Sequence, residues 1–165
     1  MPTIRHFYTS PGHNYVGHHG KAPSEHPIEE ATSLELVAGK GIVGDRYFDW
    51  KENYKGQITF FDQAVVQAVR DQFSLPDLPS SIFRRNVIIE GVDLNALIGK
   101  TFQLAGVELE GVEECRPCYW MDQATGEQSV EDFLKGRGGL RCRILNDAML
   151  AKGECELEVY PPPSN

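Results

Sequence analysis

The sequence predicts a mainly β fold, a barrel-like closed sheet with two or three short helices. Eight short segments rich in β-branched and aromatic residues alternate with Gly, Asp, Asn and Pro, while helical periodicity is confined to two stretches. The chain has 165 residues, 41% hydrophobic and 24% charged, an ordinary globular balance. A chain of that length buries roughly 70% of its unfolded surface in one core. Closing the sheet would remove the exposed edges that many short strands otherwise create.

Taken in order, the expected strands are 4–9, 34–38, 58–61, 87–90, 101–105, 107–112, 140–145 and 154–160. The first helix is expected after Asp62, a good N-cap, because Val65, Ala68, Val69 and Phe73 then share one face. In the second, Ser129 with Asp132 resembles a weak capping box before Phe133 and Leu134, and Gly136 is placed to stop it. Residues 93–97 can add one turn. The domain division is a single domain over 1–165: a strand and His-rich loop in 1–33, a core in 34–160, and an exposed tail in 161–165.

Twenty-four acidic against 16 basic residues give a net charge of −8, a poor long-range field for phosphate backbones, so a nucleic-acid partner is not expected. No apolar run approaches the ~18 residues of a membrane span, and the N-terminus lacks a signal-peptide core. No membrane partner and a cytoplasmic location are therefore expected.

Alternation sorts two of the four cysteines. Cys142 shares a face with Leu140 and Ile144, and Cys155 with Leu157 and Val159, so both read as small buried hydrophobes. Cys115-Arg116-Pro117-Cys118 instead follows a strand and lies in a loop. It lacks a second C-x-x-C for zinc, and Tyr119-Trp120-Met121-Asp122 does not open a helix as a thioredoxin-like pair would. Two readings remain: an exposed thiolate acting as soft-metal ligand or nucleophile, or a pair of partly buried loop cysteines.

Cations gather beside Gly or Asn in Gly44-Asp45-Arg46, Tyr54-Lys55-Gly56-Gln57, Phe83-Arg84-Arg85-Asn86 and Lys135-Gly136-Arg137-Gly138-Gly139. Arginines next to amides freed by glycine suit one small anionic ligand; surface pairing with the surplus acids is the plainer alternative. All five histidines (His6, His13, His18, His19, His26) fall in the first 26 residues, at no recognised zinc spacing. A loop ordered by imidazole hydrogen bonds is the simpler reading of them.

Five motifs in order resemble the MOSC domain: Gly41-Ile42-Val43-Gly44-Asp45-Arg46; Phe83-Arg84-Arg85-Asn86 with the strand and Gly91-Val92-Asp93-Leu94 after it; Ile98-Gly99-Lys100; Cys115-Arg116-Pro117-Cys118; and Gly138-Gly139-Leu140-Arg141-Cys142-Arg143. The resemblance spans residues 34 to 160 and is to the small stand-alone bacterial type. It implies a β-barrel-like fold that binds a molybdopterin-type molybdenum cofactor. The family's metal-ligating cysteine falls on Cys118, and its Arg-x-Asn motif on Arg84 and Asn86. Arg85 and the loop carrying Lys55 and Gln57 would also border the cofactor. Cys115 holds a less specific position and is not assigned as a ligand.

Three functions follow as expectations. The first is a molybdenum-dependent reductase of N-hydroxylated compounds, with Cys118 as catalytic metal ligand, a small-molecule substrate and an external electron-donor protein, because no flavin or nicotinamide fingerprint is present. A histidine or Asp122 would then donate the proton. The alternatives are a sulfur carrier using a Cys118 persulfide, and a non-catalytic molybdopterin-binding or delivery module. Pyridoxal phosphate is not expected. The chain lacks the N-terminal β-rich region of the larger reductases, so the His-rich loop, or a second copy in a homodimer, would have to close the pocket.

Overall fold

The structure is a computed structural model that describes residues 1–11, 28–116 and 129–161. Twelve strands in those residues are β1 (Thr3–Thr9), β2 (Glu29–Ala31), β3 (Ser33–Val37), β4 (Gly41–Ile42), β5 (Ile58–Asp62), β6 (Val87–Glu90), β7 (Thr101–Leu104), β8 (Val107–Glu114), β9 (Leu140–Ile144), β10 (Ala148–Ala151), β11 (Gly153–Glu154) and β12 (Leu157–Val159). The two α-helices among them are α1 (Gln63–Gln72) and α2 (Val130–Phe133), with 3-10 turns at Ser80–Phe83 and Leu94–Leu97.

Nine strands form one mixed sheet in the order β11-β1-β6-β5-β9-β8-β7-β12, with β2 added to β1. A smaller sheet runs β10-β3-β4. All pairs in the large sheet are antiparallel except β5 with β6, which α1 connects as a crossover. Among the described residues no pairing closes this ladder into a barrel, so the expected fold is met in its β-rich, helix-poor content and not in a closed barrel. The expected 154–160 strand is split. Its first part pairs with β1 and its last with β7, so one short segment joins the two edges of the sheet.

Strands β5 and β6 carry apolar residues on both faces, in Ile58, Phe60 and Phe61 and in Val87–Ile89, because both faces are covered there. Phe60, Val87 and Ile89 point into a core with Ile4, Phe7, Phe102, Leu109, Leu140 and Cys142. Phe61 and Ile88 point the other way, against Val65, Val66 and Val69 of α1, Phe83, Val130 and Leu134. Asp62 caps α1 as expected, accepting from Ala64 N at 2.9 Å. The second expected cap is not made: Ser129 is left-handed (φ 74°) with no side-chain capping bond, and α2 is a single turn.

Cys142 is fully buried as expected, and burial pushes its thiol well above the ordinary range. Cys155 is only half-buried but packs against the core on the same face as Leu157, as expected, whereas Val159 departs from that face at 45% exposed. Two glycines are required by close approach. A Cβ on Gly111 would lie 2.1 Å from Leu97 O, and one on Gly139 (φ 102°) 2.2 Å from Phe60 O.

Candidate functional site

The loop from Val43 to Gly56 joins β4 to β5 without regular secondary structure, a length at which loops are commonly functional. Buried Asp45 organises its start: Oδ1 accepts from Ser10 N (3.1 Å) and Oδ2 from Tyr47 N (3.3 Å), while Arg46 pairs with Oδ1 at 3.4 Å. Arg46 lies over the Tyr47 ring, 4.8 Å from its centroid. Tyr47 in turn stacks on Tyr54 (5.3 Å) and meets Trp50 edge-on (6.0 Å). Gly56 leaves no Cβ under the Tyr54 ring, where one would sit 3.2 Å from Cε2.

This loop lies against the outer face of β8 and β9, opposite the core. Arg143 ties it down by donating from Nε to Asn53 O (3.1 Å), while its Nη1 meets Glu110 across the strands at 2.7 Å. The next cross-strand pair is Glu113 with Arg141, at 3.5 Å. A bulge between Gly111 and Glu113 sets that register; without its extra residue Val112 would stand opposite Arg141. Glu113 also lies 3.7 Å from Lys55.

Arg141 lies near Cys115, Tyr54 and Glu113. Its desolvation would lower its pKa, but the Cys115, Tyr54 and Glu113 charges outweigh this and raise it. Burial raises the Tyr54 pKa, helped by Tyr47 and Cys115 and opposed by Arg141. Cys115 itself is buried, its amide donating to Gly139 O at 2.8 Å.

The residues expected from the sequence divide into two groups. Arg85 is buried and grips three backbone carbonyls: Nε on Gly138 O (2.9 Å), Nη1 on Phe83 O (3.0 Å) and Nη2 on Cys115 O (3.4 Å). Asn86 is buried too. Its Oδ1 accepts from Thr59 N (2.9 Å) and Oγ1 (3.0 Å), and its Nδ2 donates to Tyr8 O (3.2 Å). Gln57, 1% exposed, accepts from Ile144 N at 2.8 Å. These three tie the strands and turns around the site.

Lys55 is solvent-facing, and Arg84 is half-buried in the left-handed conformation (φ 58°), its carbonyl accepting from Arg46 at 3.4 Å. The structure thus brings Lys55, Arg84, Arg85, Arg46, Arg141, Tyr54 and Cys115 to one end of the β8–β9 ladder. Arg46, Tyr54 and Arg141 were not among the expected site residues. For Arg141 the signal was the polar face of strand 140–145; for Tyr54 it was its place beside Lys55 and Gly56. Glycines 138 and 139 do not act through freed amides as expected: Gly138 N points to Glu114 (3.4 Å), and Gly139 allows the close approach to Phe60.

Cys118, Asp122, His13, His18, His19 and His26 lie outside the described residues. His6 is described and sits in β1, its Nδ1 2.6 Å from Glu30 on β2, which lowers the Glu30 pKa chiefly through that hydrogen bond. Among the described residues no cluster of three or more His, Cys, Asp or Glu side chains could hold a metal ion. No described helix is long and apolar enough to cross a membrane.

A mixed β sheet carrying a cationic end and a cysteine-bearing turn defines the class, and the sequence comparison names it. The MOSC domain profile matches residues 18–155, and the chain belongs to that family, which is associated with molybdenum-cofactor binding. No curated protein matches. The fold is similar to that of the YUAD protein from Bacillus subtilis (TM-score 0.73, 18% identity, 96% of each chain covered). It is also similar to YiiM from Geobacillus stearothermophilus (TM-score 0.69, 10% identity, 98% of this chain and 76% of that one). YiiM from Escherichia coli is a third (TM-score 0.65, 14% identity, 96% and 72%).

Proposed function

We propose that this chain binds a molybdopterin-type cofactor at the cationic end of β8–β9, with Cys118 as the metal's protein ligand, and reduces N-hydroxylated compounds. The observation that carries the reading is the seating of Cys115. The first cysteine of the C-x-x-C motif lies near Arg141, and its carbonyl is held by Arg85. Cys118 follows three residues later in the sequence.

The residues present suit such a group. Lys55 and Arg141 offer half-exposed cations to its anionic phosphate. A thiolate is a soft anionic donor matched to a molybdenum centre. Gln57, Arg85 and Asn86 border the cofactor as a frame that fixes the turns, because their polar groups are spent on backbone and Thr59. When bound, the cofactor supplies a metal that changes oxidation state as oxygen leaves the substrate nitrogen. The net reaction consumes two electrons from an external donor protein and two protons, and releases the amine and water.

The test is turnover of an N-hydroxylated base or amidoxime with an artificial donor, for wild type and Cys118→Ser. Activity lost in a folded Cys118→Ser protein supports the reading; an active variant refutes it.

The sulfur-carrier reading draws on the same turn, because Cys115 puts a second thiol beside an arginine. It predicts a persulfide adduct of about 32 Da on Cys118, absent from Cys118→Ser, after treatment with a polysulfide, whose terminal sulfane sulfur is transferred to the thiolate as the shortened polysulfide leaves. A barrel-like closure by the 153–160 segment, which reaches both β1 and β7, is also part of our proposal.

A further inference from the structure

Two neighbouring cross-strand pairs on the outer face of β8–β9 differ in kind. Glu110 and Arg143 form a closed pair at 2.7 Å, and Arg143 is also committed to Asn53 O. Glu113, by contrast, is shared. It stands 3.5 Å from Arg141 and 3.7 Å from Lys55, holding two cations at arm's length. All three side chains keep water contact: 54% for Lys55, 41% for Glu113 and 35% for Arg141.

One carboxylate divided between two cations satisfies neither fully. A phosphate monoester carries nearly two charges and three terminal oxygens, enough to give a guanidinium a bidentate partner and an ammonium its own. The released Glu113 would return to water readily, because exposed ion pairs are weak. The bulge in β8 gives the arrangement its acid: it puts Glu113, and not Val112, opposite Arg141.

We propose that Glu113 is a displaceable carboxylate, which keeps Lys55 and Arg141 together until the phosphate group of a ligand takes its place between them. This rests on the cofactor reading above only for the source of that phosphate; free phosphate would be bound by the same chemistry. Glu113 thereby sets the affinity of the site as a built-in competitor. Like charge between Glu113 and phosphate weakens binding, and removing the charge strengthens it.

Calorimetric titration with inorganic phosphate tests this on cofactor-free protein. Glu113→Gln should bind phosphate about tenfold more tightly than wild type, and Arg141→Gln about tenfold more weakly. Lys55→Gln should fall between wild type and Arg141→Gln. Thermal melts in chloride, unchanged among the variants, exclude unfolding as the cause. Equal affinities across all four proteins would mean an adventitious ion only and overturn the proposal. So would a Glu113→Gln protein that binds no more tightly than wild type. Molybdenum content separates the two readings. Protein that carries molybdenum yet shows no Glu113 effect keeps the cofactor reading and loses the clamp. Protein that shows the effect yet never carries molybdenum keeps the clamp and loses the cofactor.

Discussion

Arg85 and Arg141 sit on opposite sides of Cys115, and they do opposite work. Arg85 is buried, and its guanidinium is saturated by the carbonyls of Phe83, Gly138 and Cys115. Arg141 is a third exposed and faces a shared carboxylate on the outer face of β8–β9. Only Arg85, beside Asn86, was expected from the sequence to border an anion; Arg141, between Leu140 and Cys142, was not. The difference is what surrounds them: a guanidinium hemmed in by unpaired backbone carbonyls becomes structural, while one on the polar face of a strand stays available.

That contrast can be broken by substitution. Arg85→Ala should cost about 4 kcal/mol, because three buried carbonyls lose a charged donor, and urea unfolding would show it as a lower midpoint at unchanged slope. A loss below about 1 kcal/mol would mean that Arg85 is free after all. Asn86→Ala, which strands Thr59 N and Tyr8 O, should cost about 2 kcal/mol by the same measurement.

Alkaline pH sharpens the comparison on the inner face of β9. Burial holds the Cys142 thiol well above its ordinary value of 9.0, so above that pH the unfolded chain loses a proton that the folded chain keeps. Stability should therefore fall as pH rises from there, by up to about 1.4 kcal/mol per unit, until the folded thiol titrates. Cys142→Ala should remove that part of the slope; an unchanged slope would contradict it. The smallest effect on stability is expected from Arg141→Gln, under about 1 kcal/mol, since an exposed pair with Glu113 contributes little. The same variant should lose anion affinity, the reverse of the pattern for Arg85→Ala.

The strands were legible where one face is apolar and the other polar, as in β7, β8 and β9, and where flanking turns mark both ends, as in β6. Strands β2, β4 and β10 were not: two or three residues of β2 and β4 carry no readable period, and Ala148–Ala151 has only one large buried side chain, Leu150. The alternation of the 153–160 segment was legible and holds through Leu157, but its change of partner from β1 to β7 was not.

At the site, the cationic loops were legible as a set from their composition. Which of them stay accessible was not, because that depends on long-range partners: Arg85 on a carbonyl 53 residues away, Gln57 on an amide 87 residues away. The bulge that sets Glu113 opposite Arg141 was not read from the sequence either; Gly111 at its start, which passes close over Leu97, was its one local mark.

We propose that the cationic end of β8–β9, together with Cys118, holds a molybdenum cofactor. The direct measurement is molybdenum and pterin content of protein purified without oxygen from cells that make the cofactor, for wild type, Cys118→Ser and Arg141→Gln. The account predicts stoichiometric metal and pterin in the wild type, metal lost from Cys118→Ser, and pterin depleted in Arg141→Gln. Wild-type protein free of both, or a Cys118→Ser protein with its molybdenum intact, would contradict it.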